Sequence, residues 1–350
     1  MKRRVAILGA TGMVGQRFIQ LLQGHPWFEI EVLAASERSA GKKYREACNW
    51  ILESEQPPEV GDMDVVLTRV KDVKEASDID IVFSALPASV AGPIEEEFAR
   101  EYPVISKASS HRLENDVPLL IPEVNPEHLA LIPIQKRRRD WSGFISNDPN
   151  CSTIQLAMTL KPLVKFGIKK VIVSTMQAVS GAGYPGVASM DIIDNVIPFI
   201  SKEEEKLESE TLKILGTFEG EEVKWANFII SASCNRVNVK DGHTECVFVE
   251  LEDKPSIEEV KEAFRSFRGE PQRLNLPSAP ERPIVLREEK DRPQPRYDRY
   301  EGKGMSVVVG RVREDPATTI KYVCLGHNTI RGAAGAGVLS AEFLIAKGYM

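Results

Sequence analysis

The chain has 350 residues, of which 42% are apolar and 27% are charged, and its formal net charge is -6. This length predicts two domains, and the composition is that of a globular protein with a proper core. The mild acidic excess gives no electrostatic reason to bind nucleic acid or an anionic membrane. The one basic run, residues 136–139, is expected to be a solvated helix end, because no aromatic residue interleaves with it.

Targeting signals and metal motifs are not evident in the sequence. No stretch approaches the ~18 apolar residues that a membrane span needs. The N-terminus lacks the apolar region and the cleavage site of a secretory signal. The five cysteines are scattered and form no Cys-x-x-Cys pair, which argues against a disulfide framework and a structural zinc site. We therefore expect a cytoplasmic protein that needs no metal.

Short apolar runs alternate with helical periodicity in the first part of the chain. Strands are predicted at residues 5–8, 30–35, 65–67, 79–83 and 104–105. Helices are predicted at residues 13–22 and 94–100. This alternation predicts a parallel sheet with helices on both faces.

The pattern changes near residue 151. Longer strands with period-two character are predicted at residues 170–176, 228–233, 244–251 and 305–312, with a helix at 257–267. They indicate an α+β domain with a mixed, largely antiparallel sheet. The proline-rich segment 274–296 is expected to be an ordered arm that contains no helix or strand, because proline disrupts both. Residues 330–350 are small, apolar and helical in pattern.

The first strand runs directly into Gly-Ala-Thr-Gly-Met-Val-Gly at residues 9–15, and a helix follows. The three glycines permit a tight turn, close approach of a pyrophosphate and packing of helix on strand, while the helix N-terminus offers free N–H groups. The spacing of the glycines differs from the standard G-x-G-x-x-G. The alternative interpretation is a glycine-rich turn that binds no ligand. The context favours a Rossmann-type dinucleotide site. Its candidate contacts are Gly9, Thr11, Gly12, Met13 and Val14.

The end of the second strand bears on the choice of cofactor. A 2′-phosphate could bind the hydroxyl groups of Ser36 and Ser39 and the guanidinium group of Arg38. Glu37 could instead hold a ribose hydroxyl. We favour NADP over NAD. Ser84, after the fourth strand, is a further candidate cofactor contact.

Cys151 lies in Asn-Asp-Pro-Asn-Cys-Ser-Thr, just before an apolar helical run at residues 154–163. At a helix start the macrodipole favours an anion, so we expect a lowered thiol pKa and a nucleophilic thiolate. His243 follows a Lys-Asp-Gly turn, at a loop edge where catalytic groups are common. Sequence spacing alone does not bring it to Cys151.

Several segments together resemble the aspartate-β-semialdehyde dehydrogenases, of the branch found in archaea and fungi, over nearly the whole chain. They are residues 9–15, 109–112, 117–125 and 150–153, Gln177 with 180–183, and residues 236–243 and 328–335. The resemblance implies a cofactor-binding domain at residues 1–150 joined by the helix 330–350. It also implies a catalytic and dimerisation domain at residues 151–329. The protein would be a homodimer or a homotetramer.

The resemblance implies a role for each reacting group. Cys151 is expected to be the nucleophile beside Asn150, and His243 its acid–base partner. Gln177 is expected to hold either the substrate carbonyl or the attacking oxygen in place. The family often has Asn-Pro-Asn-Cys, so Asp148 is a departure that leaves Asn150 and Cys151 intact.

Substrate and nicotinamide contacts are implied in the same way. Arg236 is expected to grip an α-carboxylate, Arg112 and Lys206 a phosphoryl group, and Glu203 an ammonium group. The acidic run 203–205 also has the pattern of a solvated helix face, and which of its three glutamates would bind the ammonium group stays open. The expected nicotinamide contacts are Ser180, Gly181 and Asn328.

The implied reaction is the NADP-dependent, reversible conversion of L-aspartyl 4-phosphate to L-aspartate 4-semialdehyde through a cysteine thioester. It would serve biosynthesis of lysine, methionine, threonine and isoleucine. A malonyl-CoA reductase would share Cys151 and His243, but it needs no counterpart of Glu203. An N-acetylglutamyl-phosphate reductase is disfavoured because its substrate amine is acylated. A non-catalytic NADP sensor would need no nucleophile.

Overall fold

A six-stranded parallel sheet forms from the first part of the chain, in the computed structural model that describes residues 2–350. Its strands are β1 (Arg3–Leu8), β2 (Phe28–Ala35), β3 (Val65–Leu67), β4 (Ile81–Ser84), β5 (Pro103–Ser106) and β6 (Phe144–Asn147). They lie in the order β3-β2-β1-β4-β5-β6, and every neighbouring pair is parallel. The order reverses between β1 and β4, where open α/β sheets bind ligands at the carboxyl ends of the strands. The predicted Rossmann-type fold is confirmed.

Helices lie between these strands along the chain. They are α1 (Met13–Leu22), α2 (Tyr44–Ala47), α3 (Pro58–Gly61), α4 (Val70–Ala76), α5 (Ala88–Ala99) and α6 (Leu131–Arg139). Helix α1 has the predicted limits. The helix predicted at 94–100 begins earlier, at Ala88, and contains Pro93, a residue that is rare in helix interiors because it lacks an N–H group.

A second six-stranded sheet forms from the later part of the chain. Its strands are β7 (Ile168–Gln177), β10 (Ile229–Arg236), β11 (His243–Leu251), β12 (Ile284–Arg287), β13 (Val307–Glu314) and β14 (Ile320–Gly326), and β8 (Thr217–Glu219) and β9 (Glu222–Lys224) form a separate hairpin. The order is β10-β7-β11-β14-β13-β12, with two parallel pairs at its edges and three antiparallel pairs between them. The predicted mixed, largely antiparallel sheet is confirmed.

The proline-rich arm contains a strand, so the expectation that none runs through it is wrong. Strand β12 lies between Pro283 and Pro293 and pairs only with β13, at the edge of the sheet. An edge strand tolerates flanking prolines because one row of its N–H groups needs no partner strand.

The remaining helices are α7 (Cys151–Leu160), α8 (Ser189–Ile192), α9 (Glu203–Ile214), α10 (Ile257–Ser266), α11 (Glu270–Arg273), α12 (Pro295–Asp298) and α13 (Gly335–Ala346). Helix α7 packs into the core of the second sheet, with Leu156 and Leu160 fully buried. Helix α13 packs with α1 on one face of the first sheet, through Leu339 and Phe343. The C-terminal helix therefore returns to the sheet that carries the glycine turn. No helix among residues 2–350 is long and apolar enough to cross a membrane.

Candidate active site

Cys151 is the first residue of α7, and three residues separate it from the end of β6. Asn150 caps this helix, because its side-chain oxygen accepts hydrogen bonds from the N–H groups of Ser152 (2.9 Å) and Thr153 (3.3 Å). The cap fixes the direction in which the Cys151 side chain leaves the helix start. Asn150 therefore has a structural part in the site, next to the thiol.

The tertiary structure brings His243 to Cys151 across 92 residues of chain. The Sγ atom of Cys151 lies 3.2 Å from Nε2 of His243, which is the first residue of β11 and fully buried. The Nδ1 atom of His243 accepts a hydrogen bond from the N–H group of Ala178 at 3.0 Å. A neutral imidazole held in this way carries its proton on Nε2 and donates it toward Sγ.

Burial governs the pKa values of this pair. The pKa of His243 is lowered well below its usual value, first by burial and then by the nearby Arg236 guanidinium, so the ring is neutral. Burial also raises the pKa of the Cys151 thiol to about 12, with Glu203 adding to the rise. Arg236, Arg112 and the Ser152 N–H group act in the opposite direction. The expected lowering of the thiol pKa is wrong, because the desolvation of the thiol outweighs the favourable effect of the helix start.

A cavity of about 340 Å³ opens over Cys151. Ten of the predicted site residues line it: Met13, Val14, Arg112, Asn150, Cys151, Ser180, Gly181, Glu203, Lys206 and Asn328. The glycine turn, the start of α7, the start of α9 and the loop after β7 therefore meet at one place. Within residues 2–350, no group of three or more His, Cys, Asp or Glu side chains could hold a metal ion.

Glu203 and Lys206 lie on one turn of α9 at the cavity. Glu203 accepts a hydrogen bond from Nδ2 of Asn150 at 2.9 Å, and its other carboxylate oxygen lies 3.5 Å from Nζ of Lys206. Glu203 is buried, whereas Glu205 is exposed. The structure thus distinguishes the members of the acidic run, and it places Glu203 at the cavity.

Arg236 and Gln177 lie opposite each other where β10 and β7 end. The Nη1 atom of Arg236 donates to the carbonyl oxygen of Ala178 at 2.8 Å. A Cβ atom at Gly181 would lie 2.7 Å from that same Nη1 atom and 3.0 Å from Cε1 of His243, so a side chain there would require Arg236 or His243 to move. Gln177 is buried and donates to Thr175 Oγ1 at 3.3 Å. Neither residue is among those that line the cavity, and the guanidinium group of Arg236 lies next to Gly181, which does line it.

The cofactor candidates divide into four groups, the last of which is the loop after β2. The turn at residues 9–15 is tight, and a side chain at Gly15 would lie 2.4 Å from the Gly9 carbonyl oxygen. Asn328 joins the loop after β7 to the turn before β11, because it donates to Ser180 Oγ (2.7 Å) and accepts from the Gly242 N–H group (2.8 Å). Ser84 is fully buried, and its hydroxyl donates to Glu95 at 2.5 Å.

The loop after β2 carries the residues that bear on the 2′-phosphate. Ser36 and Arg38 are exposed, and Ser39 is buried. Glu37 accepts a hydrogen bond from Arg69 Nη2 at 3.1 Å. Sequence reasoning did not single out Arg69, which adds a second cation to this loop and partly neutralises Glu37.

Sequence reasoning also missed two buried charges on α9. Glu210 accepts from Arg112 Nη1 (2.9 Å) and from the N–H group of Asn150 (2.7 Å). Lys213 donates to the carbonyl oxygens of Arg112, Glu114 and Val117 at 2.7–2.9 Å. Together with Glu203 and Lys206 they stand at positions i, i+3, i+7 and i+10 of the helix, which is one face. This spacing is visible in the sequence, and it could have indicated that Glu210 and Lys213 share a helix face with Glu203 and Lys206.

Comparison with known proteins agrees with this geometry. The model of the semialdehyde dehydrogenase NAD-binding domain matches residues 4–132, and that of the semialdehyde dehydrogenase dimerisation domain matches residues 160–331. An aspartate-semialdehyde dehydrogenase of Methanothermobacter thermautotrophicus is 59% identical over 97% of this chain and 98% of its own. An NADP-dependent malonyl-CoA reductase of Metallosphaera sedula is 43% identical over 99% of this chain and 98% of its own.

Solved structures give the same assignment. The crystal structure of aspartate-semialdehyde dehydrogenase with NADP from Candida albicans superposes with a TM-score of 0.91 and 44% identity, and the match covers all of both chains. The chain therefore belongs to the semialdehyde dehydrogenase family, among its aspartate-semialdehyde dehydrogenases.

Proposed function

We propose that the protein catalyses the reversible, NADP-dependent conversion of L-aspartyl 4-phosphate to L-aspartate 4-semialdehyde and phosphate. The observation that carries this function is the Cys151–His243 contact of 3.2 Å, at a cavity that Glu203 and Lys206 also line. The product would feed biosynthesis of lysine, methionine, threonine and isoleucine.

NADP fits the residues around the first sheet. The glycine turn at residues 9–15 and the N-terminus of α1 offer N–H groups to a pyrophosphate, and Ser36, Arg38 and Ser39 suit a 2′-phosphate. Arg69 supports this choice because it engages Glu37. The bound cofactor would give or take the hydride. Ser180, Gly181 and Asn328 would line the nicotinamide.

The first chemical step joins Cys151 to the substrate. Sγ attacks the acyl carbon, a C–S bond forms, and the C–O bond to phosphate breaks. The Nε2–H group of His243 donates toward Sγ and so stabilises the thiolate. For His243 to accept the thiol proton as a base, its ring must give up the contact between Nδ1 and the Ala178 N–H group. Gln177 would hold the carbonyl group.

Substrate recognition uses charges of both signs. Arg236 would pair with the α-carboxylate and Glu203 with the ammonium group, while Arg112 and Lys206 would bind the phosphoryl group. Glu203 supports an amino-acid substrate because it is a buried carboxylate at the cavity, where an ammonium group would offset its charge.

Reduction of malonyl-CoA is the second candidate, and the Metallosphaera sedula relative favours it. Purified protein should be assayed side by side for NADPH formation with aspartate semialdehyde plus phosphate, and for NADPH oxidation with malonyl-CoA. We expect turnover of the first only. Turnover of malonyl-CoA alone would retain Cys151 and His243 and would remove the substrate roles of Glu203 and Lys206.

We also propose two domains, residues 1–150 with 330–350 and residues 151–329, and assembly into a homodimer or homotetramer. The matched dimerisation domain supports assembly. So does a group of exposed apolar side chains in and beside the segment after β7: Met190, Ile193, Val196, Phe199 and Ile229. Light scattering at several protein concentrations should give the mass of two or four chains, and a monomer at micromolar concentration would contradict the proposal.

A further inference from the structure

A buried lysine stands in the wall of the active-site cavity with unused hydrogen-bond donors. Lys107 directly follows β5, lines the cavity, and has a side chain only 8% exposed. Its Nζ atom lies 3.1 Å from Oδ2 of Asp148, whose side chain is 1% exposed. Among residues 2–350, neither of these two atoms has a hydrogen-bond partner of acceptable geometry. The ammonium group of Lys107 therefore has N–H donors that no acceptor of the protein uses, and these are available to a ligand in the cavity.

Asp148, the counter-charge of this lysine, is itself held in place. Its Oδ1 atom accepts from Ser340 Oγ at 2.8 Å, and its N–H group donates to the Ser106 carbonyl oxygen at 2.9 Å. Asp148 is thus held from α13 and from β5, three residues before Cys151. The departure at Asp148 from Asn-Pro-Asn-Cys places a carboxylate where it can partner a buried cation.

Lys107 and Arg112 form a connected pair of cations. The Nη2 atom of Arg112 donates to the carbonyl oxygen of Lys107 at 2.7 Å, and both side chains line the cavity with Lys206. Arg112 is also paired with Glu210, and Lys206 lies near Glu203. Burial lowers the pKa of Lys107, Arg112 lowers it further, and Asp148 and Cys151 raise it. An oxyanion with several acceptor oxygens suits this wall, because it would offset the burial of the cations.

We propose that Lys107 is a further catalytic residue, which contacts the phosphoryl oxygens of the acyl phosphate, and of inorganic phosphate in the reverse direction, beside Arg112 and Lys206. This inference rests on the proposed function. When Sγ forms the C–S bond, the C–O bond breaks and its electron pair goes to the departing oxygen. The proton of the thiol ends on the phosphate, which leaves as hydrogen phosphate. Lys107 N–H groups stabilise the charge that develops on that oxygen.

The test removes the cation without leaving a buried charge unpaired. The double variant Lys107→Gln/Asp148→Asn takes out both charges, Asp148→Asn alone keeps the ammonium group, and Lys290→Gln removes an exposed lysine that does not line the cavity. In the oxidative direction, we expect the double variant to raise the KM for inorganic phosphate about 10- to 100-fold. The KM values for NADP and aspartate semialdehyde should change less than about twofold. Lys290→Gln should match the wild type.

A folded double variant with the wild-type KM for phosphate would overturn the proposal, because Lys107 would then serve only to pair with Asp148. If the double variant does not fold, the wild type provides the test. Reductive methylation of Lys107, followed by peptide mass spectrometry, should slow when inorganic phosphate is added, while methylation of Lys290 stays the same. An unchanged rate at Lys107 would overturn the contact.

Failure of the proposed function can be distinguished from failure of the Lys107 proposal. A wild-type enzyme that reduces malonyl-CoA and does not use aspartate semialdehyde would refute the substrate assignment. The methylation experiment would still decide whether phosphate contacts Lys107. Protection by phosphate would support the contact, and its absence would overturn it.

Discussion

At the scale of single residues, burial determines which side chains of the site are charged. Cys151 and His243 are in contact, and burial favours the neutral form of both, since it raises the thiol pKa to about 12 and lowers the pKa of the imidazole. A charge that stabilises the thiolate is therefore needed at Sγ before it can attack. The cations Arg112 and Arg236, which already oppose the rise, are the groups available for this.

The raised thiol pKa predicts a pH profile for alkylation. The thiolate is the reactive form, so far below its pKa its fraction rises about tenfold per pH unit. In the ligand-free wild type, the rate of iodoacetamide labelling at Cys151 should keep rising from pH 7 to pH 10 without a plateau. Peptide mass spectrometry measures it, with Cys151→Ser as the control for the other four cysteines. A plateau below pH 8 would show a low-pKa thiolate instead.

Cofactor choice can be tested at Arg38. This exposed residue follows β2, where a 2′-phosphate would lie, and a charge-assisted hydrogen bond to phosphate is lost when it is shortened. Arg38→Ala should weaken NADP binding about 10-fold or more and leave NAD binding within about twofold. Fluorescence titration of both cofactors measures this. Equal effects on NADP and NAD would remove Arg38 from the 2′-phosphate site.

At the scale of elements, α9 organises the site from one face. Glu203 contacts Asn150, Glu210 joins Arg112 to the start of α7, and Lys213 holds the loop at residues 112–117. A single helix therefore sets the nucleophile, the expected phosphate cation and the expected ammonium partner relative to one another.

Glu210→Gln tests this arrangement. The amide can still accept from the Asn150 N–H group, but the buried Arg112 loses its counter-charge. We expect the free energy of unfolding to fall by about 3 kcal/mol, as when one partner of a buried ion pair is removed. The exposed Glu205→Gln on the same helix should change it by less than about 0.5 kcal/mol. Urea denaturation measures both, and equal small effects would show that the Glu210 carboxylate does not support Arg112.

At the scale of the whole molecule, the second sheet contains a buried acid, Glu245, that the fold keeps protonated below about pH 8. Its side chain is fully buried beside Gln155 and Cys324, and burial raises its pKa to about 8. The folded pKa lies above the unfolded one, so the stabilising contribution is full below about pH 4.5 and is lost as the pH rises to about 8.

Glu245→Gln should remove this dependence. Between pH 5 and 8 the wild type should lose on the order of 1 kcal/mol of unfolding free energy per pH unit relative to the variant. Denaturation at several pH values measures the difference between the two curves. A difference that stays constant from pH 5 to 8 would mean that Glu245 ionises normally inside the fold.

Much of the fold was predictable from local pattern. Helix α1 has the predicted limits because its apolar residues recur at helical spacing directly after a glycine turn. Strand β6 was missed, since Phe-Ile-Ser-Asn is short and half polar although all four residues are buried. Strand β14 was also missed, although it lies between β11 and β13 in the second sheet. Such segments become strands through their neighbours in the sheet.

The sequence by itself determined the chemistry that this protein can perform: the glycine turn, a cysteine at a helix start and the charged residues of the family pattern. Only the tertiary structure decided how those groups act. It placed His243 against Cys151, joined Glu210 to Arg112 and buried Lys107 beside Asp148. The reason is physical, because contact and burial join residues that are far apart in the chain, and burial rather than local pattern sets their charges.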